Sequence, residues 1–122
     1  MIKIAWFPLR EIQYNYIMRY HITDQQLKSL DSKAYTNLVY FVFGSGEETF
    51  QDLDIFDLDI NILTQFLSTS PHVEGMHLFF IKTQEGGEWG LEIKAQGEAR
   101  TYKSNELVDV LWDAVCGVLG AV

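Results

Sequence analysis

The sequence has a single cysteine and few positively charged residues, and both shortages exclude classes of function. One cysteine, Cys116, cannot form an internal disulfide framework or a zinc site with several cysteine ligands. Nine lysines and arginines stand against 17 acidic residues, which gives a formal net charge of −8. Nucleic-acid binding needs clustered lysine and arginine, because these residues neutralise phosphates. We therefore expect no nucleic-acid partner.

The chain also lacks a long hydrophobic run and the features of a signal peptide. Met1–Phe7 has no extended apolar core and no cleavage site of small residues. The longest run of apolar residues and glycine, Ala114–Val122, has about half of the length that spans a bilayer. We expect no membrane association and, with a lone thiol, a cytoplasmic location. The length of 122 residues predicts a single domain over residues 1–122.

Hydrophobic periodicity predicts several short strands. Apolar residues occupy the even positions of Ile12–Ile22, which indicates a half-buried strand, although a helix with Tyr16 and Tyr20 on its apolar face is an alternative. Leu38–Phe43 is continuously apolar and predicts a central strand that is buried on both faces. The other predicted strands are Ile2–Phe7, Thr49–Ile55, Met76–Ile81, Trp89–Ala95 and Glu98–Lys103.

Capping residues predict three helices. The first begins at Thr23 or Asp24, the second at Asp59, and the third at Ser104 or Asn105. The third helix has the clearest apolar face. This face consists of Leu107, Val108, Leu111, Trp112 and Val115.

The connections between the later elements are short, which favours antiparallel strands. Glu85-Gly86-Gly87-Glu88 predicts a hairpin, because adjacent glycines accept the positive φ angles of a type I′ turn. Strands in succession that are interrupted by a few helices indicate an α+β fold. We predict a mainly antiparallel sheet of about five to seven strands, with two or three helices packed on one face and the other face partly open.

The motifs for metal binding and catalysis are incomplete. Residues 57–61, Asp-Leu-Asp-Ile-Asn, match the opening of an EF-hand loop, but Ile62 replaces the required glycine and Ser68 replaces the bidentate glutamate. Cys116 lies beside the apolar face of the last predicted helix, where a free cysteine usually acts as a small hydrophobic residue. We therefore predict no enzymatic activity, no cofactor and no metal, and a histidine–cysteine nucleophile pair at Cys116 is the catalytic alternative.

Negative charge is concentrated in one part of the chain. Residues 34–81 contain seven acidic residues and no lysine or arginine, whereas the rest of the chain has ten acidic and nine basic residues. Acidic and apolar residues alternate from Asp52 to Ile60, and the alternation slips at Ile55-Phe56, which predicts a bulge, a turn or the end of a strand. We call residues 47–59 the acidic segment. Its predicted partner-binding residues are Glu47, Glu48, Phe50, Asp52, Asp54, Phe56, Asp57 and Asp59.

The sequence allows three explanations of the acidic segment. It is a solvated face that keeps the protein soluble, a binding face for a basic partner protein, or a site for a divalent metal. Acidic faces speed association with cationic partners, and Phe50 and Phe56 would supply the aromatic anchors of such an interface. Alternatively, the oxygen ligands would favour magnesium, manganese or calcium. The candidate metal ligands are Asp52, Asp54, Asp57 and Asp59.

In composition the chain resembles the small, acidic, cytoplasmic inhibitors that bacteria use against toxins, although no residue motif identifies a family. A nuclease toxin needs a basic groove for nucleic acid, and a carboxylate-rich inhibitor can occupy that groove by imitating phosphates. The leading hypothesis is a non-enzymatic immunity protein or antitoxin that neutralises a basic toxin or effector by direct binding. The alternatives are a small metal-dependent enzyme or metal-binding domain, and a homo-oligomeric structural module. The module would assemble through Trp112 and the apolar residues 114–122, or as a homodimer through the C-terminal helix.

Overall fold

The computed structural model describes residues 2–4, 18–44 and 52–120. The helices are α1 (Asp24–Lys28), α2 (Ser32–Phe43), α3 (Ile60–Thr69) and α4 (Leu107–Gly120), and Ile55–Asp57 forms a 3₁₀ turn. The strands are β1 (Ile2–Ile4), β2 (Val73–Thr83), β3 (Gly86–Ala95) and β4 (Glu98–Ser104). The predicted α+β class is confirmed, but the described residues form four strands rather than five to seven.

The sheet has the order β1-β2-β3-β4. The strands β2, β3 and β4 are antiparallel neighbours, as predicted, and each pair is joined by a short loop. The short β1 runs parallel to β2 and pairs with Met76–Leu78. The predicted strand Ile2–Phe7 is confirmed at Ile2–Ile4, and its last three residues lie outside the described residues.

The predicted hairpin between β2 and β3 is present, but the glycines occupy different positions in it. Thr83 pairs with Gly86, so the two-residue loop is Gln84-Glu85 and the glycines begin β3. The pair of positive φ angles that a type I′ turn requires occurs in the loop between β3 and β4, at Gln96 (53°) and Gly97 (79°).

Two glycines of β3 make room for aromatic rings of β2. A Cβ atom at Gly87 would lie 2.0 Å from the ring of Phe80, and a Cβ atom at Gly90 would lie 2.3 Å from the ring of Phe79. Phe79 and Phe80 are neighbours in a strand, so their side chains point to opposite faces of the sheet. Each ring therefore packs across the backbone of β3, in space that a side chain would otherwise fill.

The hydrophobic core lies between one face of the sheet and the helices α3 and α4. The strands contribute the buried residues Met76, Leu78, Trp89, Leu91 and Ile93. The predicted apolar face of the last helix is confirmed, because all five of its residues are buried. The burial of each large apolar side chain of this kind stabilises the folded protein by about 1.5–3 kcal/mol. The core is therefore built largely on α4.

Helix α4 offers little apolar surface to another molecule. Trp112 is 3% exposed and belongs to the core, so the predicted oligomer contact through this residue has no accessible side chain. Gly117 lies inside the helix rather than at its end, because the helix continues to Gly120. None of the helices in the described parts of the chain combines the length and the hydropathy needed to cross a membrane.

The prediction of a buried strand at Leu38–Phe43 is wrong, because these residues form the second half of α2. The helix begins after Asp31, whose carboxylate accepts a hydrogen bond from the backbone N–H of Ala34 at 2.8 Å. A short apolar run fits either a buried strand or a helix, and the capping residue upstream decides between them. Within the run Leu38 is buried and Tyr40 is half exposed, as expected for a helix that packs on one side.

Two further strand predictions fail where the structure describes the residues. Residues 18–22, the end of the predicted strand Ile12–Ile22, form a single isolated bridge between His21 and Asp59. Residues 52–55, the end of the predicted strand Thr49–Ile55, form no strand. Residues 12–17 and 49–51 lie outside the described residues. The slip in the acid–apolar alternation coincides with the 3₁₀ turn, which was one of its predicted outcomes.

A polar network attaches the segment before α1 to α4. Arg19 forms a partly buried ion pair with Asp109, and its Nε donates a hydrogen bond to the carbonyl of His21 at 3.0 Å. Gln26 donates to the same carboxylate at 2.7 Å and also completes the capping box of α1 with Thr23. This network fixes residues 19–26, including the strand-like part that meets the acidic segment.

Candidate partner-binding surface

Backbone hydrogen bonds hold the end of the acidic segment against residues 20–22. The N–H of Ile22 donates to the carbonyl of Leu58 at 3.2 Å, and the N–H of Ile60 donates to the carbonyl of Tyr20 at 2.8 Å. These two bonds flank the bridge between His21 and Asp59. This is the pattern of a non-hydrogen-bonded antiparallel pair, in which side chains lie close together.

The beginning of the described part, residues 52–54, is held by α2. The hydroxyl of Tyr35 accepts a hydrogen bond from the N–H of Leu53 at 2.9 Å and lies 3.5 Å from a carboxylate oxygen of Asp52. The side chains of Leu53 and Leu58 are buried in the core. The two leucines of the alternating pattern therefore point inward, as the sequence predicts, while Asp52 and Asp54 are exposed.

Three of the four aspartates bind backbone N–H groups near them in the chain. Asp54 accepts a hydrogen bond from Phe56 at 3.2 Å, and Asp57 accepts one from Asp54 at 2.9 Å, so both stabilise the 3₁₀ turn. Asp59 caps α3, as predicted, by accepting from Ile62 at 2.9 Å. These bonds give the aspartates a role in the fold that needs no ligand. Each of these hydrogen bonds uses one of the two oxygens of a carboxylate.

Phe56 projects from the 3₁₀ turn between Asp54 and Asp57. Its side chain is 67% exposed, the largest exposed fraction among the exposed hydrophobic residues of the described chain. The ring of His21 meets it edge to face, with 4.6 Å between the ring centroids. Tyr20, next to His21, is 62% exposed. The structure thus places the rings of Phe56 and His21 together, in and beside the turn that carries Asp54 and Asp57.

The arginines that form the observed ion pairs do not neutralise the aspartates of residues 52–59. Within the described ranges, the ion pairs join Arg19 to Asp109 and Arg100 to Glu98. Neither pair involves an aspartate of residues 52–59. We call the exposed parts of Tyr20, His21 and residues 52–57 the candidate surface. The other predicted site residues, Glu47, Glu48 and Phe50, lie outside the described residues.

The sequence did not indicate Tyr20 and His21 as site residues. The period of two at Ile12–Ile22 suggests that Tyr20 faces the core, whereas it is exposed. Residues 20–22 join the surface through pairing with residues 58–60, a contact across almost 40 positions of the chain. A period-two pattern carries no information about such a partner.

The geometry of the aspartates does not form a metal site among the described residues. No group of three or more histidine, cysteine, aspartate or glutamate residues there is arranged to hold a metal ion. Asp54, Asp57 and Asp59 instead bind backbone N–H groups. The incomplete EF-hand pattern at residues 57–61 corresponds to the end of the 3₁₀ turn and the start of α3.

The environment of Cys116 does not favour its use as a nucleophile in a histidine–cysteine pair. Cys116 and His72 line the same groove of about 320 Å³, between the end of α4 and the strands β3 and β4. Burial, and then the negative charge of Asp113, raise the pKa of the Cys116 thiol to about 11. The thiol is therefore protonated at neutral pH, and a protonated thiol is a poor nucleophile.

Comparison with protein-family models, with curated proteins and with solved structures finds no match to this chain.

Proposed function

We propose that the protein is a non-enzymatic binding protein that holds a cationic partner protein at the candidate surface. The observation that carries this proposal is the exposed Phe56, which lies in the 3₁₀ turn that Asp54 and Asp57 stabilise. Exposed apolar surface rimmed by charge is typical of protein–protein interfaces. Aspartates around an aromatic anchor give such an interface both orientation and affinity.

The local hydrogen bonds support this role, because they fix the carboxylates before a partner arrives. One oxygen each of Asp54 and Asp57 binds the backbone of the 3₁₀ turn. Hydrogen bonding of one oxygen leaves the other able to accept from a lysine or arginine. Little side-chain entropy is then lost on binding, since the turn already holds both groups.

The type of partner follows from the charge of the surface. A cationic groove that binds nucleic acid attracts carboxylates by the same forces that attract phosphates. We propose that the partner is a toxin or effector of the nuclease type, and that the protein acts in the cytoplasm as its immunity protein or antitoxin. An inhibitor of this kind blocks the groove in a one-to-one complex.

The experiment removes charge without removing the caps. Asp54→Asn with Asp57→Asn keeps a side-chain oxygen for each backbone N–H but takes two negative charges from the surface. The partner, captured from the source cells with the wild-type protein, is titrated with both forms by surface plasmon resonance. We expect association to slow about tenfold at low salt, and the difference to shrink as salt is added.

The matched control is Glu74→Gln with Glu85→Gln, which removes the same charge from β2 and the loop that follows it. This control should associate nearly as fast as the wild type. Equal association rates for the wild type and the Asp54/Asp57 variant would refute the proposed surface. The nuclease assignment fails separately if the captured partner has no nuclease activity that the protein inhibits in a one-to-one ratio.

A further inference from the structure

One face of the sheet points away from the helices, and we call it the open face. It is formed by alternate residues of β2, β3 and β4, since successive side chains of a strand point to opposite faces. Phe79 and the 45% exposed Ile81 lie on it, opposite to the buried residues Met76 and Leu78. The core includes Phe80 but not Phe79 or Ile81.

The open face has no excess of negative charge, although the protein is strongly acidic. Its charged residues in β2, β3 and β4 are Glu88, Glu92, Lys94 and Lys103, two of each sign, and Lys3 of β1 occupies the register position beside His77. The negative net charge of the protein is therefore carried by the rest of the chain. Two copies of this protein repel each other through that net charge, and contact between the open faces adds no further repulsion between negative surfaces.

The positions of these charges also match a two-fold axis. Leu78, Leu91 and Tyr102 form one row across the strands. A two-fold axis parallel to this row, halfway between two facing sheets, reverses the strand direction in the second copy. A residue that lies a given number of positions before the row then faces the residue that lies the same number of positions after the row in the second copy. Glu88, three residues before Leu91, then lies opposite Lys94 of the second copy, three residues after Leu91.

The same rotation brings together the other groups of the face. Glu92 lies opposite Gly90 of the second copy, whose neighbour across the strands is Lys103. Ile81 lies opposite Gly75, where a Cβ atom would have no neighbour within 4 Å and where space is available. An axis moved to Gly90 would instead place Glu88 against Glu92 of the second copy. The axis along the row of Leu91 therefore sets Glu88 against Lys94 of the second copy and Glu92 beside its Lys103.

We propose that a second copy of this chain docks on the open face, with the two sheets packed face to face about this axis. Facing sheets pack with their strands roughly aligned, which keeps the charged rows in register. The interface is mostly polar, so the dimer is weak, reversible and sensitive to salt. It does not use the candidate surface and leaves that surface available to a partner.

The test is sedimentation equilibrium from about 10 µM to about 1 mM protein, a range that detects weak dimers, at about 0.15 M salt, where the repulsion between the net charges of the two copies is screened. Glu88→Lys and Lys94→Glu should each raise the dimer dissociation constant about tenfold or more, because each change affects two equivalent pairs. The double variant with both reversals should dimerise like the wild type, since it keeps the net charge and restores both pairs. A mixture of the two single variants should form heterodimers.

Glu98→Lys is the control, because it changes the net charge as Glu88→Lys does but lies on the other face of the sheet. Unchanged thermal melting shows that each variant is folded. A wild-type protein that is monomeric over the whole range overturns the proposal. So does a double reversal that fails to restore the dimer, or a control that weakens it equally. None of these results bears on the proposed binding of a cationic partner.

Discussion

The sheet with α4 and the acidic segment are stabilised by different interactions. In the first region buried apolar side chains of β2, β3 and α4 pack on one another. In the second region Leu53 and Leu58 are buried, but the chain between them is shaped by carboxylates that accept backbone hydrogen bonds. The difference shows how a charged segment keeps a defined shape while its side chains remain accessible. Substitutions in the first region should therefore change stability, and substitutions in the second should mainly change binding.

The largest expected contrast is between Trp112 and Phe56. Trp112→Ala removes a side chain that is 97% buried and should lower the free energy of unfolding by about 3–5 kcal/mol. Phe56→Ala removes an exposed ring and should change it by no more than about 0.5 kcal/mol. Urea unfolding followed by circular dichroism measures both values. A large loss of stability in Phe56→Ala would mean that the ring supports the fold, and its role as a binding anchor would lose its basis.

The second prediction concerns Gly117 in the last turn of α4. A Cβ atom there would lie 2.3 Å from the hydroxyl oxygen of Tyr102. Alanine in a helix is more stable than glycine by about 1 kcal/mol, but this clash should reverse the sign and make Gly117→Ala destabilising by about 1–2 kcal/mol. In the Tyr102→Phe background the hydroxyl is absent and the nearest ring atom, Cζ, lies 3.3 Å from the added Cβ atom. The same change should therefore cost less there, by about 1 kcal/mol.

A double-mutant cycle by urea unfolding measures this coupling. If Gly117→Ala has the same effect in both backgrounds, the contact with Tyr102 does not explain the glycine. The cycle thus tests whether a single atom of Tyr102 determines which residue the packed region accepts at position 117.

The two regions also differ in how well the sequence predicts them. The hairpins and α4 were predicted because their signals are local: alternation in β3, short loops, and an apolar face after a capping residue. The strand prediction at Leu38–Phe43 was wrong because an apolar run does not distinguish a strand from a helix. The aspartate cap at Asp31, seven residues earlier, carried the missing information.

The candidate surface was predictable in composition but not in geometry. The concentration of charge between residues 34 and 81 identified the aspartates and Phe56. The capping role of Asp54 and Asp57 depends on a 3₁₀ turn, which the sequence showed only as a slip in alternation. The contribution of His21 depends on a contact between distant parts of the chain, and no local pattern reports it.

The third prediction separates capping from charge within the acidic segment. Asp59→Ala removes the N-cap of α3 and should lower the free energy of unfolding by about 1 kcal/mol. Asp52→Ala removes an exposed carboxylate with one long contact to Tyr35, and should cost less than about 0.5 kcal/mol. Equal losses in the two variants would contradict the assignment of Asp59 as a cap. Urea unfolding at neutral pH makes the measurement.

The smallest expected effect is the pH dependence contributed by Cys116. Burial, followed by the charge of Asp113, raises the pKa of this thiol from 9.0 to about 11 in the folded protein. Between these values the unfolded chain loses the proton first, so the folded state binds more protons and stability falls as pH rises. Cys116→Ala removes this contribution. The wild type should therefore lose stability relative to Cys116→Ala between about pH 9 and about pH 11, measured by the urea midpoints of both proteins. A constant difference over this range would mean that the thiol is no more buried in the folded state than in the unfolded chain, and the groove at the end of α4 would have to be more open than the structure shows.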